Sequence, residues 1–334
     1  MNIPQVKKVF TPHTARTEIL RAERAGMSRK AARKVSSAAA AKGGSQHWAA
    51  LFTGLAAVVA VAVYVALQGQ HRMPARLDMQ PMRCGPYRPS VPGCSPRGEA
   101  CGSVVVDNFA TAQEVDALRE IADRGMALGG GAGGPTILDL TSGALSYGDK
   151  FVDVWSVFNA TPEARAFRRS ELEVYASVVK RVGEQAKAQF GVTSALHLTS
   201  PTFFSRISGE KPPITQHDEY WHTHIDLEQY GSFVFTALLY LADAGADFEG
   251  GAFEFMPRGT ASQGGPDTTS SSMAVAPRAA VQPKRGRLVL FTSGSEHPHR
   301  VTRVTSGTRL ALTIAFTCNE GAAIPDFLSR ALPG

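Results

Sequence analysis

The sequence has no C-x2-C pair, which sets aside the zinc ribbons and fingers that such pairs define. It has no internal repeat, so it is neither a solenoid nor a propeller. Charged residues are scarce, 19% against 43% hydrophobic, and that balance excludes a chain disordered throughout. A basic surface is missing too. The net charge is +6, yet residues 1–46 alone carry ten Lys or Arg against Glu18 and Glu23. The remainder is close to neutral or slightly acidic, so the charge implies no nucleic-acid partner.

What is present begins with twenty residues that carry no charge, Trp48 to Leu67. As a helix they rise roughly 30 Å, the thickness of a bilayer core. Trp48 and Tyr64 suit its interfaces. A cleaved signal peptide has a shorter apolar stretch, nearer the N-terminus. We therefore expect a flexible basic tail over 1–46 and a single transmembrane helix over 47–68. Charge near the helix is too even to orient it. All four cysteines (Cys84, Cys94, Cys101, Cys318) follow the apolar run, three of them within eighteen residues. Such crowding suits disulfides in an oxidising lumen. The expectation is a type II membrane protein with its folded domain in the ER or Golgi lumen. An Arg-, Ser- and Ala-rich tail also fits a mitochondrial transit peptide, the alternative address.

Residues 69–100 hold six prolines and read as a stalk pinned by cysteines, with the folded domain over 101–334. SVVVDNF (103–109) reads as a strand. Thr111 with Glu114 fits a capping box, followed by Val115, Leu118, Ile121, Ala122 and Met126 at helical spacing; the glycine run 129–134 ends that helix. Thr161-Pro162-Glu163 is a second helix start, with an apolar face from Phe167 to Phe190. Short β runs follow at 197–207, 232–241, 252–256, 287–292 and 309–317, interrupted by a Gly/Ser/Pro-rich loop at 257–285. The pattern predicts an α+β domain, a double-stranded β-helix (jelly roll) backed by N-terminal helices.

YWHTHIDLEQY (220–230) carries the chemistry. Read as a strand, it points His222, His224 and Asp226 to one face. A 2-His-1-carboxylate triad needs one His and one acid close together and a second His from elsewhere, leaving open iron positions. His224-x-Asp226 supplies the pair, and HPHR (297–300) offers His297 or His299. Arg309 opens the run 309–317, where a cation can pair with the distal carboxylate of a 2-oxo-diacid.

The ordered elements His224-x-Asp226, FTALLYLAD (235–243), FEGGAFEF (248–255), GRLVLFTSGSEHPHRVTRV (286–304) and GTRLALTIAF (307–316) resemble the prolyl 4-hydroxylase-type 2-oxoglutarate/Fe(II) dioxygenases over about 200–318. The resemblance implies His224, Asp226 and His299 as iron ligands, the step to Arg309 selecting His299 over His297. It implies Arg309 and Tyr240 as partners of the co-substrate carboxylate, Arg309 standing where many relatives have Lys. It places Thr313 at the same pocket and leaves His222 as an extra residue beside the triad. The implied cofactors are Fe(II), 2-oxoglutarate and O2, with ascorbate as reductant; the implied partner is a polypeptide substrate whose side chain is hydroxylated. Iron binding needs neutral His and ionised Asp, so activity falls in acid. Two alternatives stand beside it: a catalytically silent binding or scaffold domain, and a zinc hydrolase built on His222, His224 and Asp226.

Overall fold

The computed structural model describes residues 76–86, 91–96, 100–160, 167–214, 219–259 and 275–324. All lie in the unit Pro74–Gly334. The apolar run 48–67, read as a membrane span, and the basic tail lie outside the described residues. Among the described residues no helix is long and apolar enough to cross a membrane.

The strands, in chain order, are β1 (Arg76–Met82), β2 (Cys101–Val106), β3 (Gly130–Gly131), β4 (Thr136–Leu138), β5 (Ala144–Gly148), β6 (Lys150–Asp153) and β7 (His197–Ser208). After them come β8 (Phe235–Tyr240), β9 (Phe248–Gly250), β10 (Phe253–Phe255), β11 (Ala279–Val281), β12 (Leu288–Thr292), β13 (His299–Val301) and β14 (Val304–Thr317). The helices are α1 (Ala112–Met126), α2 (Val154–Ala160), α3 (Arg169–Phe190) and α4 (Asp226–Tyr230). The major sheet runs β1-β2-β12-β8-β14-β7-β4-β5-β3, with β6 on β5 and β9 on β14; a minor sheet runs β11-β10-β13.

Two cores follow from the strand period. One face of the major sheet packs on helices α1 and α3, whose buried residues Val115, Leu118, Ile121, Tyr175, Val178 and Val182 meet Phe204, Leu290, Leu312 and Ile314. The alternate residues of the same strands point the other way. Leu238, Tyr240, Val289, Phe291 and Ala311 meet Phe253, Phe255 and Val281 of the minor sheet. The layers are therefore helices, major sheet, minor sheet, and the site lies between the two sheets as in a jelly roll.

Helix α1 starts as the capping box requires. Thr111 Oγ1 accepts from Glu114 N at 3.2 Å, and Glu114 Oε2 accepts from Thr111 N at 2.9 Å. Four expectations need correction. Helix α3 begins at Arg169, so Phe167 precedes it rather than opening its apolar face; the proposed start at 161 lies outside the described residues. Gly130–Gly131 of the glycine run is strand β3, after α1 has already ended at Met126. The loop 257–285 contains β11, which pairs with β10. The supposed stalk is partly sheet, because β1 pairs antiparallel with β2. Disulfide Cys84–Cys101 closes that pair just beyond Met82↔Cys101, and Cys94–Cys318 ties the segment to the end of β14.

The second bridge joins residues 224 apart in sequence. It removes a large loop-closure entropy from the unfolded chain, worth about 3 kcal/mol or more. Replacing Cys94 and Cys318 with Ser should lower the melting temperature by roughly 6–12 °C in calorimetry. An unchanged melting temperature would show that the bridge does not constrain the fold.

Candidate metal centre

His224 and His299 meet through a short antiparallel bridge. His224 N donates to His299 O at 2.9 Å, and His299 N donates to His224 O at 3.0 Å. Asp226 lies two residues beyond His224 at the first position of α4. The strand reading of 220–230 is thus wrong beyond His224. The chain turns into a helix, and this turn, not strand alternation, brings the carboxylate to the imidazoles. His222 does not join them. It is exposed and its ring pairs with Glu219.

The ligand atoms converge. Asp226 Oδ1 lies 3.6 Å from His224 Nε2 and 3.5 Å from His299 Nε2, and the three ligand atoms are mutually within 4.8 Å. Both imidazoles are oriented from behind. His224 Nδ1 bonds the carbonyl of His222 at 3.0 Å, and His299 Nδ1 bonds the carbonyl of His297 at 2.9 Å. A carbonyl only accepts, so each Nδ1 carries a proton and each Nε2 faces the cluster, offering a lone pair when its imidazole is neutral. The carboxylate is oriented likewise. Thr236 Oγ1 donates to Asp226 Oδ2 at 2.6 Å, and Ser293 Oγ lies 2.8 Å from the same hydroxyl. Phe253 stacks on His299 with centroids 5.0 Å apart, and Phe291 meets its edge.

Electrostatics suit a cation. Burial and then the neighbouring His299 pull His224 down to about 4, so it is neutral near pH 7. Burial works to raise Asp226, but the charge and hydrogen bond of His299 outweigh it and hold the carboxylate below its ordinary range. Burial likewise works against His299, and Asp226 overcomes it, raising that imidazole. The two histidines and one carboxylate are a donor set for a divalent transition metal. His297, the alternative third ligand, is fully buried in a different place. It bonds the carbonyl of Thr292 at 2.8 Å between Phe255 and Phe291, and burial lowers it to about 3.

Arg309 lies on β14 and is 1% exposed. Its Nε donates to Gly251 O at 3.1 Å, its Nη2 has no hydrogen-bond partner, and among the described residues no carboxylate pairs with it. Tyr240, directly across the sheet from Ala311, lies with its ring centroid 5.5 Å from the guanidinium carbon. Its buried hydroxyl also lacks a partner, and burial pushes it up to about 12, so it remains a donor. Two unpartnered donors, one of them a buried cation, call for an anion. Thr313 shares the Arg309 face of β14 by alternation and is partly buried.

The paired glycines explain themselves here. Gly251 has φ +65°, and a Cβ on it would lie 2.8 Å from Arg309 Cδ. At Gly250, with φ +80°, a Cβ would meet the Arg303 carbonyl at 2.1 Å. Only glycine lets the chain pass this close to Arg309. Sequence reasoning missed Thr236, Ser293 and Phe253. Thr236 and Phe253 stand in otherwise apolar runs, and Ser293 follows the end of one, so position was their one signal.

Residues 213–317 match the family model of the 2OG-Fe(II) oxygenase superfamily, a range that holds the whole cluster and Arg309. The chain is 43% identical over 235 residues to 2-oxoglutarate and iron-dependent oxygenase domain-containing protein 3 of Rattus norvegicus, covering 70% of this chain and 68% of that protein. The Homo sapiens protein of that name is also 43% identical over 235 residues, covering 70% and 67%. Prolyl 3-hydroxylase 1 of Gallus gallus is 28% identical over 228 residues, covering 64% of this chain and 28% of that protein.

Proposed function

The chain belongs to the 2OG-Fe(II) oxygenase superfamily, and on that premise we propose that it is a membrane-anchored hydroxylase of a polypeptide side chain in the lumen of the secretory pathway. It is a dioxygenase that uses Fe(II), 2-oxoglutarate and O2. In this reading His224, Asp226 and His299 hold the iron, and Arg309 with Tyr240 holds the distal carboxylate of 2-oxoglutarate. The bound metal and co-substrate supply the oxidation: one oxygen atom of O2 enters succinate as CO2 is lost, and the other turns a C–H bond into C–OH.

The protein's part is placement and charge. The carbonyls of His222 and His297 fix the imidazole tautomers, Thr236 turns one carboxylate oxygen toward the metal, and Phe253 and Phe291 wall the site on the His299 side. The single observation that carries the catalytic reading is Arg309. A binding-only domain has no use for a buried cation without a counter-charge, and such a group costs stability. That weighs against the silent-scaffold alternative. The zinc-hydrolase alternative needs His222 in the cluster, and His222 faces Glu219 instead.

The polypeptide substrate is supported by the likeness to prolyl 3-hydroxylase 1, the anchor by the uncharged run 48–67, and the lumen by two disulfides that leave no described cysteine free. Full-length protein in detergent, supplied with Fe(II), ascorbate and labelled 2-oxoglutarate, should release labelled succinate, faster when lumenal polypeptides are added. In microsomes it should resist alkaline extraction and be shielded from added protease. Absence of succinate under every polypeptide tested, together with no 2-oxoglutarate binding, would sink the enzymatic reading; alkaline release would sink the anchor.

A further inference from the structure

The co-substrate pocket has a neighbour that neither Arg309 nor Tyr240 accounts for. Tyr220 lies four residues before His224, on the segment between β7 and α4, and is partly buried. Its ring meets Trp221 edge-on at 5.2 Å, and its hydroxyl accepts the N–H of Val304 at 2.8 Å. Val304 is a wall of the Arg309 site. A Cβ on Gly251 would touch Arg309 Cδ at 2.8 Å and Val304 Cγ2 at 3.1 Å together. Gly251 binds both sides of this junction: its carbonyl accepts from Arg309 Nε at 3.1 Å, and its N–H donates to the Arg303 carbonyl at 3.1 Å. The Arg303 guanidinium in turn lies 3.7 Å from the Trp221 ring centroid. So Tyr220 is held at the edge of the Arg309 pocket from two sides, through its own hydroxyl and through Trp221.

Counting donors gives the rest. A phenol hydroxyl that accepts one bond still has its proton to give. A carboxylate offers about four lone-pair directions. The site supplies Tyr240 once and the free end of a guanidinium whose Nε is already spent on Gly251. We propose that Tyr220 is a third donor to the distal carboxylate of the 2-oxo-diacid, giving the pocket its preference for a co-substrate with two acid groups. This rests on the assignment of Arg309 and Tyr240 to that carboxylate. It adds a contact from the same segment that carries His224 and Asp226, so co-substrate and metal ligands share one stretch of chain.

The test uses full-length protein loaded anaerobically with Fe(II), titrated with two chelators and followed by the charge-transfer absorption of the bound 2-oxo acid. 2-Oxoglutarate carries the distal carboxylate; 2-oxobutanoate chelates identically and lacks it. Tyr220→Phe should weaken 2-oxoglutarate about 10-fold or more, as expected for a hydrogen bond to a charged group, and leave 2-oxobutanoate within about two-fold. Equal weakening of both ligands would mean that Tyr220 merely props Val304, and would overturn the proposal. Unchanged 2-oxoglutarate affinity would also overturn it. Wild-type protein that binds 2-oxoglutarate no better than 2-oxobutanoate would remove the underlying Arg309 assignment too, a result distinct from either of the others. Binding of 2-oxobutanoate by the variant doubles as the check that its site is folded.

Discussion

Asp226→Ala protein should take up no iron at concentrations that saturate the wild type, and it should release no succinate. The wild-type cluster has one negative charge to set against a divalent cation in a largely buried site, and that charge is Asp226. Removing one partner of a buried charge pair costs about 3–5 kcal/mol, which is a factor of roughly 150 to 4,000 in affinity. The variant should still fold. With the carboxylate gone, His299 loses the charge and hydrogen bond that raise it most, and burial, the largest influence on it, favours the neutral imidazole. Thr236 also keeps Ser293 as a partner. The clean measurement is a pair of thermal melts with and without Fe(II) under argon, because a ligand bound only by the folded state raises the melting temperature. The wild type should shift and the variant should not. An Asp226→Ala protein that shifts as much as the wild type would mean that the metal lies elsewhere.

The second large effect has opposite signs in two assays. Arg309→Met should raise the Kd for 2-oxoglutarate at least about 30-fold, since truncating one side of a buried charge-assisted pair costs roughly 2–5 kcal/mol. Iron affinity should stay near that of the wild type, because no metal ligand contacts Arg309 among the described residues. Stability of the ligand-free protein should hold or rise. Burial already pulls the Arg309 guanidinium below its ordinary pKa, and a thioether of similar size relieves the cost of an unpaired buried cation. Loss of binding with gain of stability is the signature of a group kept for its ligand. If Arg309→Met instead destabilises the protein and leaves 2-oxoglutarate binding alone, Arg309 is a structural residue.

Much of the fold was legible because its signals are local. The capping box at Thr111 and Glu114, the apolar stripe of α1 and the runs that became β7, β8, β12 and β14 each follow from neighbours within a few residues. Misses occurred where a distant partner decides. β11 is three residues inside a loop-like stretch and exists because β10 offers an edge. β1 reads as proline-rich stalk, and it joins the sheet because β2 pairs with it and Cys84 bonds Cys101.

The candidate site divides the same way. Local sequence is enough to name the groups that can do the chemistry: one His-x-Asp, a later His, a cation ten residues beyond it and a glycine pair, in an order that resembles one family. How they meet depends on long-range pairing. Asp226 reaches the imidazoles by opening a helix, not by sharing a strand face with His224 and His222. His299 rather than His297 stands in the cluster because the bridge register pairs it with His224, while His297 is turned into an aromatic core. Thr236 on β8 orients the carboxylate, and Ser293, just beyond β12, backs its hydroxyl. A one-residue slip in any of those pairings would turn its side chains to the opposite face. Which residues share a face is written in local periodicity, but which faces come together depends on long-range register and packing, and a single sequence carries no direct trace of either.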